Sequence, residues 1–149
     1  MSGIEARSNG AEGDARRIFE QWHRSVVARN LDALMALYAQ DAMLETPLAY
    51  VVSAGRQDGR LQGREAIRTF FAASFAQPEN RLGRWYRTGR CHASHRQVVW
   101  EYPRETPQGD QVDLVEVMDL DARGLIACHR VYWGWKGVQT LLTGLGRLP

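Results

Sequence analysis

Two ionisable side chains stand among apolar ones in the second half of this chain. In "QVDLVEVMDL", which reads as a strand, Val112, Leu114, Glu116 and Met118 share one face while Asp113, Val115, Val117 and Asp119 share the other. Glu116 is therefore the one charge on its face. A carboxyl group among valine, leucine and methionine is desolvated unless something pairs with it, which suits a general acid or a neutral hydrogen-bond donor. In "HRVYWGW", residues 129–135, His129, Val131, Trp133 and Trp135 alternate with Arg130, Tyr132 and Gly134. Histidine changes charge near neutral pH, so His129 is the best general-base candidate in the chain. The same patterns admit plainer readings. Glu116 then points outward on a subunit face or makes a structural hydrogen bond, and His129 is a core histidine bonded to a carbonyl or to Tyr102.

The elements that must position these groups follow from periodicity. Residues 1–13 are small and polar and read as a flexible N-terminal tail ahead of one domain over 14–149. Asp14 is placed to cap a helix carrying Ala15, Ile18, Phe19, Trp22 and Val26 on one face. After Asn30, the residues Leu31, Leu34, Met35 and Tyr38 make a second helical stripe, and "AMLETP" reads as a short strand stopped by Pro47. Residues 48–63 carry glycines without a sustained period, as a long loop or lid would. Ile67, Phe70, Phe71 and Phe75 mark a third helix. "RWYRTGRCHA", "HRQVVWEYP", "QVDLVEVMDL" and "LIACHRVYWGW" are β-branched and aromatic runs separated by the turn residues "TPQGD" and "DARG". Helices first and a strand meander afterwards predict an α+β domain with helices covering one face of a curved sheet.

Composition narrows the function classes. The 149 residues suffice for one core, and their 44% apolar and 24% charged share is that of an ordinary soluble domain, with no apolar run long enough to span a membrane. The N-terminus contains acidic residues and no apolar block, so a cytoplasmic location is the default expectation. A net charge of +2 gives little reason to expect nucleic acid. Cys91 and Cys128 read as free thiols. His92 and His95 fall on opposite faces of a strand, so no metal site and no cofactor are expected. Phosphate-cradling glycine motifs and nucleophile elbows are missing.

The order and spacing of "ARNLDALMALYAQDAMLETP", "LQGREAIRTFF" and "VEVMDLDARGLIACHRVYWG" resemble the nuclear-transport-factor-2-like superfamily, and within it the SnoaL-like proteins. The resemblance spans roughly Asp14 to Val138. It implies a cystatin-like, cone-shaped barrel in which the N-terminal helices pack into a strongly curved, mostly antiparallel sheet around an apolar pocket. It also implies a homodimer through the outer sheet face. Its members include ketosteroid isomerases, polyketide cyclases, dehydratases and limonene epoxide hydrolases, as well as non-catalytic binding and scaffold domains, so fold alone leaves function open.

Residue by residue, the resemblance puts Thr46 where the isomerases carry their aspartate base and Trp22 where they carry their tyrosine, while Glu116 matches their protonated acid. Steroid isomerisation by that arrangement is not expected. Asp113 and Arg130 have the residue types of the epoxide hydrolases, yet both belong to the faces assigned outward. The family register turns His129, Val131, Trp133 and Trp135 inward, beside the strand of Glu116. The expected pocket is then Trp22, Tyr38, Leu44, Thr46, Val98, Trp100, Tyr102, Leu114, Met118, Val131 and Trp133 around Glu116 and His129, able to hold a small apolar, flat or polycyclic molecule.

Overall fold

The computed structural model describes residues 3–52, 58–78, 81–87, 89–105 and 111–144. Helix α1 runs Gly3–Val27 and buries Ala15, Ile18, Trp22 and Val26, the stripe its spacing predicts. It begins well before Asp14. The segment expected to be a tail thus contributes its residues from Gly3 onward to α1, and Asp14 is no cap but a residue inside the helix, paired with Arg17 at 3.4 Å.

Asn30 does cap its helix: the Ala33 amide donates to Asn30 Oδ1 at 3.0 Å, opening α2 (Leu31–Met35). This helix is too short to include Tyr38. Instead the Ile126 amide donates to the Leu37 carbonyl at 2.8 Å, and Tyr38 becomes the first residue of strand β1 (Tyr38–Glu45). Sheet pairing has overridden a helical stripe.

The expected lid is also built differently. Its described part contains α3 (Pro47–Val52) and β2 (Arg60–Gln62), while residues 53–57 lie outside the described residues. Helix α4 (Arg64–Phe75) follows, burying Ile67 and Phe71. The run expected to be one strand from "RWYRTGRCHA" divides into α5 (Leu82–Trp85) and β3 (Cys91–Ser94). The rest is the expected meander: β4 (Gln97–Glu105), β5 (Gln111–Leu120), β6 (Ile126–Trp133) and a last helix α6 (Trp135–Gly144). The "TPQGD" turn falls outside the described residues.

The six strands form one curved sheet in the order β2-β1-β6-β5-β4-β3. Every pairing is antiparallel except β1 with β6. Register shifts between Tyr38 and Met43 and between Asp119 and Leu120 break the ladder where one strand carries more residues than its partner. Among the described residues the barrel is not closed, since β2 and β3 remain as edges. The concave face packs its apolar side chains against α1, α2 and α4 in one core that includes Ile18, Leu34, Leu44, Ile67, Val98, Met118 and Ile126. Among the described residues, no helix is long and apolar enough to cross a membrane.

Candidate functional site

Register decides what Glu116 and His129 can touch. On β5 and β6, Glu116 lies opposite Val131 and Met118 lies opposite His129, so the two ionisable residues are diagonal neighbours on the concave face. Side chains of that length meet across such a diagonal. His129 Nε2 is in hydrogen-bond contact with Glu116 Oε2. From the other side of β5, where Trp100 of β4 is opposite Glu116, the diagonal residue Tyr102 donates its hydroxyl to Glu116 Oε1 at 2.8 Å.

The chain of contacts continues away from Glu116. Tyr38 Oη lies 2.8 Å from His129 Nδ1, and the Trp22 indole donates to Tyr38 Oη at 3.1 Å. All five side chains are buried, at 2% exposure or less. Trp22 is a donor only, so its bond leaves the Tyr38 hydroxyl proton to point at His129 Nδ1. Nδ1 then accepts and Nε2–H donates to Glu116, which accepts from Tyr102 as well. This assignment of protons is inferred from the donor-only end of the network. It satisfies every polar atom in the chain with one direction of donation, from Trp22 toward Glu116. Burial holds the Tyr38 phenol well above its ordinary value, with the Trp22 bond opposing and the nearby Glu116 adding to the rise.

A cavity of about 40 Å³ adjoins this network. Of the residues expected to line a pocket, Trp22, Leu44, Thr46, Tyr102, Leu114, Val131 and Trp133 border it, together with Glu116 and His129. Tyr38, Val98, Trp100 and Met118 do not: they are buried in the core behind it. Aromatic side chains that the sequence reading left out, Phe70, Phe71, Trp85 and Tyr86, complete the wall from α4 and α5. The signal for α4 was present, since its helical stripe must face the sheet. The signal for α5 was masked by a run that reads as strand. The volume exceeds the roughly 10–15 Å³ a water needs and falls well short of the roughly 150 Å³ of a benzene-holding cavity. A polycyclic molecule does not fit inside it.

Trp135 was expected to face inward with His129. Strand β6 ends at Trp133, and Trp135 instead opens α6 with 70% of its surface exposed. The outer face carries Tyr132, 55% exposed, and Arg130, whose Nη2 lies 2.5 Å from Asp119 Oδ2. Arg130 therefore has an outward ion pair and does not border the cavity; the side chain of Asp113 lies outside the described residues. Among the described residues no three of His, Cys, Asp or Glu gather in a way that could hold a metal ion. The buried Trp100 Nε1 has no hydrogen-bond partner among them.

Comparison with solved structures places this architecture. An NTF2-like protein of unknown function from Mesorhizobium loti is 20% identical, covering 83% of this chain and 93% of its own, with a TM-score of 0.65. A steroid delta-isomerase from Pseudomonas aeruginosa is 21% identical over 90% of each chain, with a TM-score of 0.63. SalBIII, an epoxide hydrolase/cyclase-like enzyme of pyran ring formation in salinomycin, is 20% identical over 91% of this chain and 96% of its own, with a TM-score of 0.57. At these identities the likeness speaks for the fold alone. No curated protein matches the sequence significantly. The SnoaL-like domain family matches residues 17–129, from α1 through His129 itself, and the chain belongs to that family.

Proposed function

We propose that this SnoaL-like domain is a cofactor-independent acid–base protein for a small apolar carbonyl or cyclic compound, with Glu116 as the group that meets the ligand. The observation that carries the reading is the hydrogen-bonded chain Trp22–Tyr38–His129–Glu116–Tyr102 ending at an aromatic-walled cavity. Both ring nitrogens of His129 are occupied by protein partners. His129 is thus a positioning residue, and the sequence-based expectation that it is the base passes to its neighbour. A carboxylate has about four lone-pair sites, and the bonds from Tyr102 and His129 use one on each oxygen. The site facing the cavity remains for a ligand proton.

Two donors aimed at one carboxyl group fix its orientation, which presents its remaining lone pairs to the cavity without reorganisation of the site. When Glu116 takes a proton from a carbon beside a carbonyl, the carbanion's charge moves to the carbonyl oxygen. Return of that proton at another carbon of the delocalised carbanion completes an isomerisation; its transfer from the Glu116 carboxyl group to a β-hydroxyl, which leaves as water as the Cα–Cβ double bond forms, completes a dehydration. The domain's isomerase and cyclase-like structural relatives are consistent with such chemistry.

The test is deuterium exchange in D2O, followed by NMR, at the α-carbons of a panel of small cyclic ketones. Exchange by the native protein is expected to fall about 10²–10⁴-fold in Glu116→Gln, the usual contribution of a general base. Equal exchange by the two proteins overturns the role of Glu116, and a ligand that binds at the cavity without exchange of any kind makes the domain a binding module.

A further inference from the structure

The cavity at Glu116 has a neighbour. A groove of about 580 Å³ lies at the ends of β1 and β6, walled by Pro47 and Tyr50 on the side of α3 and by Val138 and Leu141 of α6. Thr46, Val131 and Trp133 border both the groove and the cavity at Glu116. The sequence explains why the wall is thin at this point. Pro47 ends β1, and the last β1–β6 register pair is Glu45 with Arg130. Beyond it, Val131 to Trp133 of β6 pair only with β5, where Val131 is opposite Glu116 and Trp133 is opposite Leu114. The sheet therefore loses a strand beside the carboxylate. Side chains fill the gap instead of backbone, and Trp133 is half-buried as a side chain with one edge in each space would be.

The end of β1 is held firmly on the other side of the gap. The Thr46 amide donates to the Gly59 carbonyl at 2.9 Å, and a Cβ on Gly59 would stand 2.7 Å from the Thr46 carbonyl oxygen. Of the three residues that border both spaces, Trp133 carries the largest side chain. The groove's charged residues have partners in the protein: Arg60 pairs with Glu45, Arg130 with Asp119, and Asp58 Oδ1 accepts from the Arg60 amide at 3.2 Å. What it offers a ligand is the apolar surface of Tyr50, Tyr132, Val138 and Leu141.

We propose that the groove is the outer half of the ligand site, and that Trp133 is the partition that sets ligand size. The ligand is then bipartite: a carbonyl-bearing end small enough for the cavity at Glu116, and a larger apolar ring body lying against Tyr50, Val138 and Leu141. This rests on the reading of Glu116 as the group that meets the ligand, and it resolves the mismatch between an aromatic-walled site and a cavity of only about 40 Å³.

The test uses binding, not turnover. The full chain is titrated with acetone, a carbonyl with no ring body, and with the bicyclic ketone 2-decalone, and the Trp22 indole N–H resonance is followed as the reporter at the cavity. Leu141→Trp, which fills the groove, is expected to weaken 2-decalone at least about tenfold and acetone less than about threefold. Trp133→Ala is expected to strengthen 2-decalone at least about tenfold, and Leu141→Trp in that background to remove the gain; Trp133→Phe, the milder variant, lies between. Equal effects of Leu141→Trp on the two ketones, a gain in Trp133→Ala that survives groove filling, or no shift of the reporter in any protein overturns the proposal. Groove-dependent binding together with unchanged deuterium exchange in Glu116→Gln would leave the groove standing and remove the catalytic reading alone.

Discussion

Tyr38 Oη stands 2.8 Å from His129 Nδ1, although the two residues open and close a gap of most of the chain and lie on strands that run parallel. The hydroxyl is the hydrogen-bonded link between the Trp22 indole and the imidazole, whose rings also meet edge to face at 5.8 Å. Tyr38→Phe keeps the ring and removes that link. It leaves Trp22 Nε1–H and His129 Nδ1 buried without their partner, each at a cost of about 1–3 kcal/mol. A stability loss of about 2–6 kcal/mol, read from denaturant unfolding, is expected. A loss under about 0.5 kcal/mol would mean the network is not a unit.

The coupling between Tyr102 and Glu116 is measurable by a double-mutant cycle. Tyr102→Phe removes one donor from the carboxylate, and Glu116→Gln replaces an acceptor oxygen with an amide that donates, so that Tyr102 and His129 compete for the one oxygen left. Because the residues share one hydrogen-bond network, the single effects are expected to be non-additive by about 0.5–3 kcal/mol. Additivity to within about 0.3 kcal/mol would show that the two groups stabilise the fold independently and that Tyr102 does not orient the carboxyl group.

How far these relationships were visible in the sequence depended on whether they were local. Alternation alone put Glu116 with Leu114 and Met118, because a strand's side chains must alternate, and the buried positions of β5 follow that face. Tyr38 was misplaced because its spacing from Leu34 fits a helix, and only the β6 backbone, distant in sequence, claims it for β1. For the same reason its hydroxyl was counted as wall and not as a link. Trp135 was assigned inward by extending β6 two residues too far; the strand ends where Gly134 precedes α6. The partition at Trp133 needed a register that no single strand carries, namely how far β1 accompanies β6.

Gly124 joins the turn after β5 to α1, and its replacement is expected to be costly for two reasons. Its φ of 74° is a conformation that side chains rarely adopt, and a Cβ would lie 2.9 Å from the Asp14 carboxyl group. The neighbouring Arg17 Nη2 donates to the Gly124 carbonyl at 3.0 Å, so the strain cannot be relieved by moving the turn without breaking that bond. Gly124→Ala is expected to destabilise the fold by about 1–3 kcal/mol, read from thermal or urea unfolding. An unchanged midpoint would show that the turn yields freely and that α1 is not anchored there.

His23, one residue beyond Trp22 on α1, gives the stability a second kind of dependence. Burial holds its pKa below the ordinary 6.5, and its buried Nδ1 has no hydrogen-bond partner among the described residues. The folded state therefore keeps the imidazole neutral to lower pH than the unfolded chain does. Above 6.5 the ring is neutral in both states and the advantage is complete. As pH falls below 6.5, the unfolded chain binds the proton first, and stability is lost progressively down through the folded-state value. Unfolding midpoints of the native protein are expected to decline across that window more steeply than those of His23→Phe, which has no proton to bind. The His23 ring resonances should titrate with a midpoint below 6.5; a midpoint at or above 6.5, or parallel pH profiles for the two proteins, would remove His23 as the source of the acid sensitivity.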